Sequence, residues 1–292
     1  MSFPTEQRPS HLQPAASTHE EHEIVPFTVD EVPPRSVPLL PIVLFLFTCY
    51  TTYSIGGAAY SFALMLTLVC HEFGHYLQAR RYHVPASLPY FIPIPAPPLG
   101  TMGAVIAMRG EMPNRRALFD IGISGPLAGL VPAMIFSVWG LSMSTVVPKQ
   151  PMGMIGDPLL FKFLVRQFFG VLPPHLDVLL HPLAYAGWVG VLITSLNLIP
   201  IGQLDGGHIL YAILRRRAHF VAWALLIGAV AAVVLMHSYQ WTLMLLLLAF
   251  MGPMHPPTAN DEAPLGTGRT ILGWLTLAFV IIGFTPRPFT GF

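Results

Sequence analysis

The chain has 292 residues, of which 53% are hydrophobic and only 10% charged, against roughly 25% charged in an ordinary soluble domain. So large an apolar surplus exceeds what one core needs and implies a surface that meets lipid. A net charge of +1 with no lysine- or arginine-rich run excludes an electrostatic footprint for nucleic acid, and two cysteines in apolar stretches, Cys49 and Cys70, build no disulfide framework.

Residues 1–36 are polar, Pro-bearing and acidic around Glu20, Glu21 and Glu23. They read as a disordered cytoplasmic tail without a secretory signal, so insertion is expected to begin with the first spanning helix. Crossing a hydrocarbon core of about 30 Å takes roughly 20 apolar residues in a helix. By that measure spans are expected at 37–54, at 56–79 before Arg80 and Arg81, and at 117–141 after Arg115 and Arg116. A fourth, 183–199, runs on past Pro200 toward Leu214 and stops at Arg215, Arg216 and Arg217. Segments 221–236, 241–254 and 271–284 follow, the middle one short. The expected fold is an all-α polytopic membrane protein of six to seven transmembrane helices, forming a single membrane-embedded domain over 37–292. The basic residues flank loops on one side, which the positive-inside rule makes cytoplasmic, with the N-terminus inside. An integral protein of the inner or plasma membrane is the corresponding expectation.

Two connections depart from ordinary loops. Residues 85–110 are rich in Pro and Gly yet too apolar for water, and 101–108 suits a short strand. Irregular backbone at membrane depth is tolerated only where protein or a water cavity shields it, so this segment reads as a re-entrant loop in which Thr101 and Gly103 are candidates for touching substrate. Residues 142–181 lie outside and contain a surface helix over 159–172 with Lys162 and Arg166 facing water. The polar stretch 253–269 reads as a cytoplasmic loop. Within it, His255-Pro256-Pro257 with Asn260, Asp261 and Glu262 reads as a gate or a solvated turn, with the turn preferred.

The second span carries His71-Glu72-Phe73-Gly74-His75. Positions i and i+4 of a helix differ by about 40° in direction, so both imidazoles point at one ion while Glu72 stands beside them as a base. Ionisable residues in hydrocarbon cost roughly 2.5–3.5 kcal/mol each and are functional by default. Three of them within one helical turn call for a cation. Catalytic zinc usually keeps three protein ligands and a water, and Asp205 supplies the missing one: it lies roughly 15 Å below Arg215, and Phe73 roughly 11 Å below Arg80, at the helical rise. Pro200, Gly202, Gly206 and Gly207 are expected to bend or break the fourth span there. His208, three residues on, is a candidate for supporting the site. Gly125 and Gly129 form a helix-packing pair.

His71-Glu72-Phe73-Gly74-His75 together with Asn197-Leu198-Ile199-Pro200 and Leu204-Asp205-Gly206-Gly207 resembles the paired signature of the site-2 protease family of intramembrane metalloproteases. Gly122-Ile123-Ser124-Gly125-Pro126-Leu127-Ala128-Gly129 resembles that family's small-residue segment. The resemblance covers about 56–214 and is to the compact members that lack a PDZ domain. It implies Zn2+ held by His71, His75 and Asp205, Glu72 as catalytic base, Asn197 supporting substrate or oxyanion, and a re-entrant β-hairpin at 85–110. It also implies single-span membrane proteins as substrates, cut within the lipid bilayer. A transporter binding metal or protons through the same residues is the alternative, and it has no need of Glu72 as a base.

Overall fold

The computed structural model describes residues 39–149 and 154–290; the expected tail over 1–36 and the start of the first expected span lie outside them. Helix α1 (Leu39–Arg81) runs for 43 residues and is interrupted at Gly57, with φ 75° and ψ −173°. There the chain reverses. The Ser61 hydroxyl reaches the Cys49 carbonyl at 3.1 Å and the Thr52 hydroxyl at 2.8 Å, whereas a straight helix would hold residues 49 and 61 about 18 Å apart. Glycine permits the turn because positive φ burdens any residue with a Cβ. The expected boundary between the first two spans falls beside this reversal.

Helix α2 (Arg115–Ser142) is N-capped by the Asn114 side chain, which accepts from the Ala117 amide, and so begins two residues ahead of the expected start. Helix α3 (Leu159–Phe169) buries Phe161 and Leu164 and leaves Lys162 and Arg166 exposed. Helix α4 (Pro182–Asn197) is buried from Leu183 to Ser195 except at Tyr185. A helix apolar on all sides belongs in the centre of a bundle, and α4 packs against α1 and α2. Residues 198–204 are not helical, so the fourth expected span is broken rather than continuous. Pro200 has no amide to donate, and Gly202 has φ 58°. Helix α5 (Asp205–Leu214) resumes and ends at Arg215, after which α6 (Ala218–Leu235), α7 (Thr242–Met251) and α8 (Thr267–Gly283) complete the bundle. Arg269 at the start of α8 holds Asp120 of α2 with two bonds of 2.8 Å, and Tyr82 donates to the same carboxylate.

Three helical runs among the described residues are long and apolar enough to cross a membrane: Leu39–Arg81, Arg115–Ser142 and Asp205–Leu235. The protein is thus mostly helical but not all-α. Strands β1 (Tyr90–Pro93) and β2 (Thr101–Val105) pair antiparallel, Tyr90 opposite Val105 and Phe91 opposite Ala104, with an irregularity before Pro93. Residues expected only as an outer loop with a helix also form strands. β3 (Thr145–Pro148) pairs antiparallel with β5 (Leu176–Leu179), and β4 (Met154–Ile155) with β6 (Phe289–Thr290). The β-branched run Thr145-Val146-Val147 favours this extended form.

The main core gathers Tyr60, Leu64 and Leu68 of α1, Phe136 of α2, Phe161 of α3 and Trp188 and Leu192 of α4. Its polar tips hold the hairpin connection: Thr51 donates to the Gly100 carbonyl (2.8 Å), Tyr60 to Leu99 (2.7 Å) and Tyr185 to Pro98 (3.0 Å).

Candidate metal centre

His71, Glu72 and His75 stand on the second limb of α1, all three buried. The His75 Nδ1–H donates to the Ile121 carbonyl at 2.8 Å, which leaves its Nε2 as a bare lone pair turned toward His71. The two Nε2 atoms are 3.2 Å apart. Asp205, first residue of α5, closes the group: Oδ2 lies 3.1 Å from His71 Nε2 and Oδ1 3.2 Å from His75 Nε2. One ligand atom from each residue lies within 4.8 Å of the others.

Fit to a metal follows from the donor chemistry. Two imidazole nitrogens and a carboxylate are zinc ligands, and donors about 2.0–2.2 Å from a tetrahedral ion stand about 3.3 Å from one another. The two imidazole nitrogens stand at that spacing, and each is at a similar distance from one of the two Asp205 oxygens. A single proton serves one pair of these atoms at a time, whereas a cation serves all three. The residues therefore fit Zn2+, and the structure brings together the three ligands expected from the sequence.

Glu72 neighbours His71 on the same buried turn, with 3% of its surface exposed. Asn197, at the last turn of α4, sets its amide nitrogen 3.3 Å from His71 Nε2. Thr101 and Gly103 belong to β2. The Thr101 side chain is fully buried and points into the hairpin, donating to the Ile92 carbonyl at 2.9 Å and accepting from the Gly103 amide at 3.0 Å. What β2 leaves for a partner is its backbone, since among the described residues β1 is its only neighbour in the sheet. A Cβ at Gly103 would lie 3.8 Å from Ile193, one turn before Asn197 on α4.

The small residues of α2 face the metal motif. A Cβ on Gly129 would approach His71 Cβ to 2.9 Å, and one on Gly125 would overlap the His75 ring. Only glycine lets the α2 backbone come so near both imidazoles.

The sequence reading undervalued the loop after α7. His255, expected on a solvated turn, is 7% exposed. Its Nε2 accepts from His208 Nδ1 at 2.7 Å, its Nδ1 donates to the Pro256 carbonyl, and its ring stacks on Tyr211 at 4.6 Å. Burial, reinforced by His219, holds the His255 imidazole below its usual pKa. The Tyr211 hydroxyl donates to Asp261 at 2.7 Å. Glu262 remains exposed and pairs with Arg215. Buried Arg115 spans the same region, donating to Ala212 at 2.9 Å and Ala263 at 2.8 Å. The one available signal was His208 at i+3 from Asp205, on the same face of α5.

Residues 59–236, which include every residue of this cluster except those of the loop after α7, match the profile of peptidase family M50. The chain is 29% identical over 240 residues to the probable zinc metalloprotease EGY1, chloroplastic, of Oryza sativa subsp. japonica, covering 77% of this chain and 40% of that protein. The EGY1 protein of Arabidopsis thaliana is 29% identical over 236 residues, covering 77% and 42%. The probable zinc metalloprotease EGY3, chloroplastic, of Oryza sativa subsp. indica is 31% identical over 232 residues, covering 70% and 38%. The chain spans about two fifths of the length of these curated relatives. No solved structure matches it.

Proposed function

This chain belongs to peptidase family M50, the site-2 protease family of zinc metalloproteases, and we propose that it hydrolyses peptide bonds within or next to the transmembrane segments of membrane proteins. The observation that carries the reading is the convergence of His71, His75 and Asp205 beside buried Glu72. In this reading the first two residues and Asp205 hold the zinc. When bound, zinc supplies a water of pKa about 7 and positive charge for the developing oxyanion. Glu72 takes the proton of the attacking water and delivers it to the leaving amine. Asn197, whose amide nitrogen lies 3.3 Å from His71 Nε2, offers that amide to the substrate carbonyl.

A helical substrate must unwind before its peptide groups are open to attack. The free edge of β2 accepts the loosened strand through backbone hydrogen bonds, in the manner of strand addition. Substrates are then single-span proteins with helix-weakening residues near the site. The two limbs of α1, with α2, the α4–α5 pair, α6 and the shorter α7 and α8, make up six to seven spans, with the β1–β2 hairpin re-entrant among them and residues 37–292 as one membrane-embedded domain. The arginine-bearing ends face the cytoplasm of a cell membrane, and water reaches the metal from that side.

The test compares the wild type with Glu72→Gln for cleavage of detergent-solubilised single-span proteins, with zinc content measured on both. Zinc retained and cleavage lost is the expected result. Equal cleavage by the two proteins would refute the role of Glu72.

A further inference from the structure

Asp205 occupies a poorly anchored place. It is the first residue of α5, its helix has no side-chain cap, and the seven residues before it are non-helical. His71 and His75, which stand on another helix, meet its carboxylate. The loop after α7 supplies anchorage from both sides of it. Ahead of Asp205, the Gly202 amide donates to the Pro253 carbonyl at 3.1 Å. Behind it, one turn along α5, His208 donates to His255 at 2.7 Å, and a turn further Tyr211 stacks on His255 and donates to Asp261. The loop is braced in turn, with His219 bonding the His255 carbonyl at 3.1 Å and Thr258 bonding Asp261 at 2.7 Å. On the opposite side α2 closes in at Gly122, where a Cβ would meet His208 Cβ at 2.8 Å and the Asp205 carbonyl at 3.5 Å. The ligand-bearing turn is thus held between α2 and the loop.

We propose that His255 and His208 are positioning residues: through their mutual hydrogen bond, the 253–261 loop fixes the first turn of α5 so that Asp205 meets His71 and His75 at ligand spacing. The inference rests on the reading of Asp205 as the third zinc ligand. Its polarity is defined. His255 donates through Nδ1 to its own loop and accepts through Nε2, so only a side chain with an acceptor at that place satisfies His208. Partners that orient a metal ligand typically govern metal affinity by about 10- to 100-fold.

The experiment uses the full-length chain in detergent, in the Glu72→Gln background, so that zinc affinity is read independently of cleavage. His255→Ala is expected to weaken zinc binding at least about tenfold and, in the metal-free protein, to raise hydrogen exchange over 200–211 while 62–81 stays unchanged. His255→Gln, which keeps an acceptor, is expected to recover most of both. Should His255→Ala lose the fold, Tyr211→Phe, which removes only the hydroxyl held by Asp261, takes its place under the same two readings. Unchanged zinc affinity together with unchanged exchange over 200–211 would overturn the inference. A wild type that cleaves nothing, with both readings moving as expected, would sink the protease reading and leave the positioning role standing. Should the wild type bind no zinc, exchange over 200–211 in the metal-free protein decides alone.

Discussion

A Cβ on Gly125 would stand inside the imidazole of His75. The small-residue segment of α2 is therefore the wall of the proposed metal centre, and its glycines leave the space that His71 and His75 occupy. Gly125→Ala is expected to displace His75, an overpacking cost of about 1–3 kcal/mol borne where the Nε2 must be aimed. Zinc content by elemental analysis should fall while helix content by circular dichroism holds. Full zinc occupancy in the variant would show that α2 moves aside at no expense to the site.

Asp205→Asn keeps the shape of the third ligand and removes its charge. Zinc bound at 100 times its Kd adds about 2.7 kcal/mol to stability, so chelation should lower the unfolding temperature of the wild type. The variant should show little such shift. A variant that responds to chelator as the wild type does would place the metal elsewhere.

Asn197→Ala should leave zinc bound, because His71, His75 and Asp205 remain. Loss of a donor aimed at the developing charge typically costs about 10²–10³ in kcat, with KM changed far less. Single-turnover cleavage of a solubilised substrate measures this. Unaltered kcat would release Asn197 from the chemistry.

The seating of His255 predicts a dependence on pH. Its folded pKa is depressed by burial and by His219, whereas an exposed histidine titrates at about 6.5. The released loop therefore binds a proton that the docked loop does not, and docking is complete above that value and lost as pH falls below it. His208, Tyr211, His219 and Asp261 face the same ring. Exchange over 253–266, corrected for intrinsic rates, should rise from pH 7.5 to 5.5 in the wild type and much less in His255→Gln. An equal rise in both would tie it to another group.

The grouping of His71 and His75 was legible in the sequence for two physical reasons. A four-residue spacing fixes direction on a helix, and charge in hydrocarbon is too expensive to be incidental. Depth made Asp205 a candidate, since arginines at the ends of two helices serve as a common ruler, and the family resemblance gave it the ligand role. The residues of 85–110 by themselves read as a loop with one strand, the hairpin being implied only by the family resemblance, and the inward turn of the Thr101 hydroxyl was not foreseen, because alternation along so short a strand has no fixed phase without its partner. The strands at 145–148 and 176–179 have four residues each, at the lower limit for a period-two alternation to mark them. His255 was missed most plainly. Its partner His208 lies 47 positions away, and a Pro-Pro loop with acidic neighbours looks solvated until the rings of α5 are set against it.

His71 and Asp205 are separated by 134 positions. A ribosome that has delivered the chain as far as residue 204 has made both imidazoles and not yet the carboxylate that meets them, and the loop bonded to α5 emerges later still. The three side chains can therefore come together only after the later helices have been made.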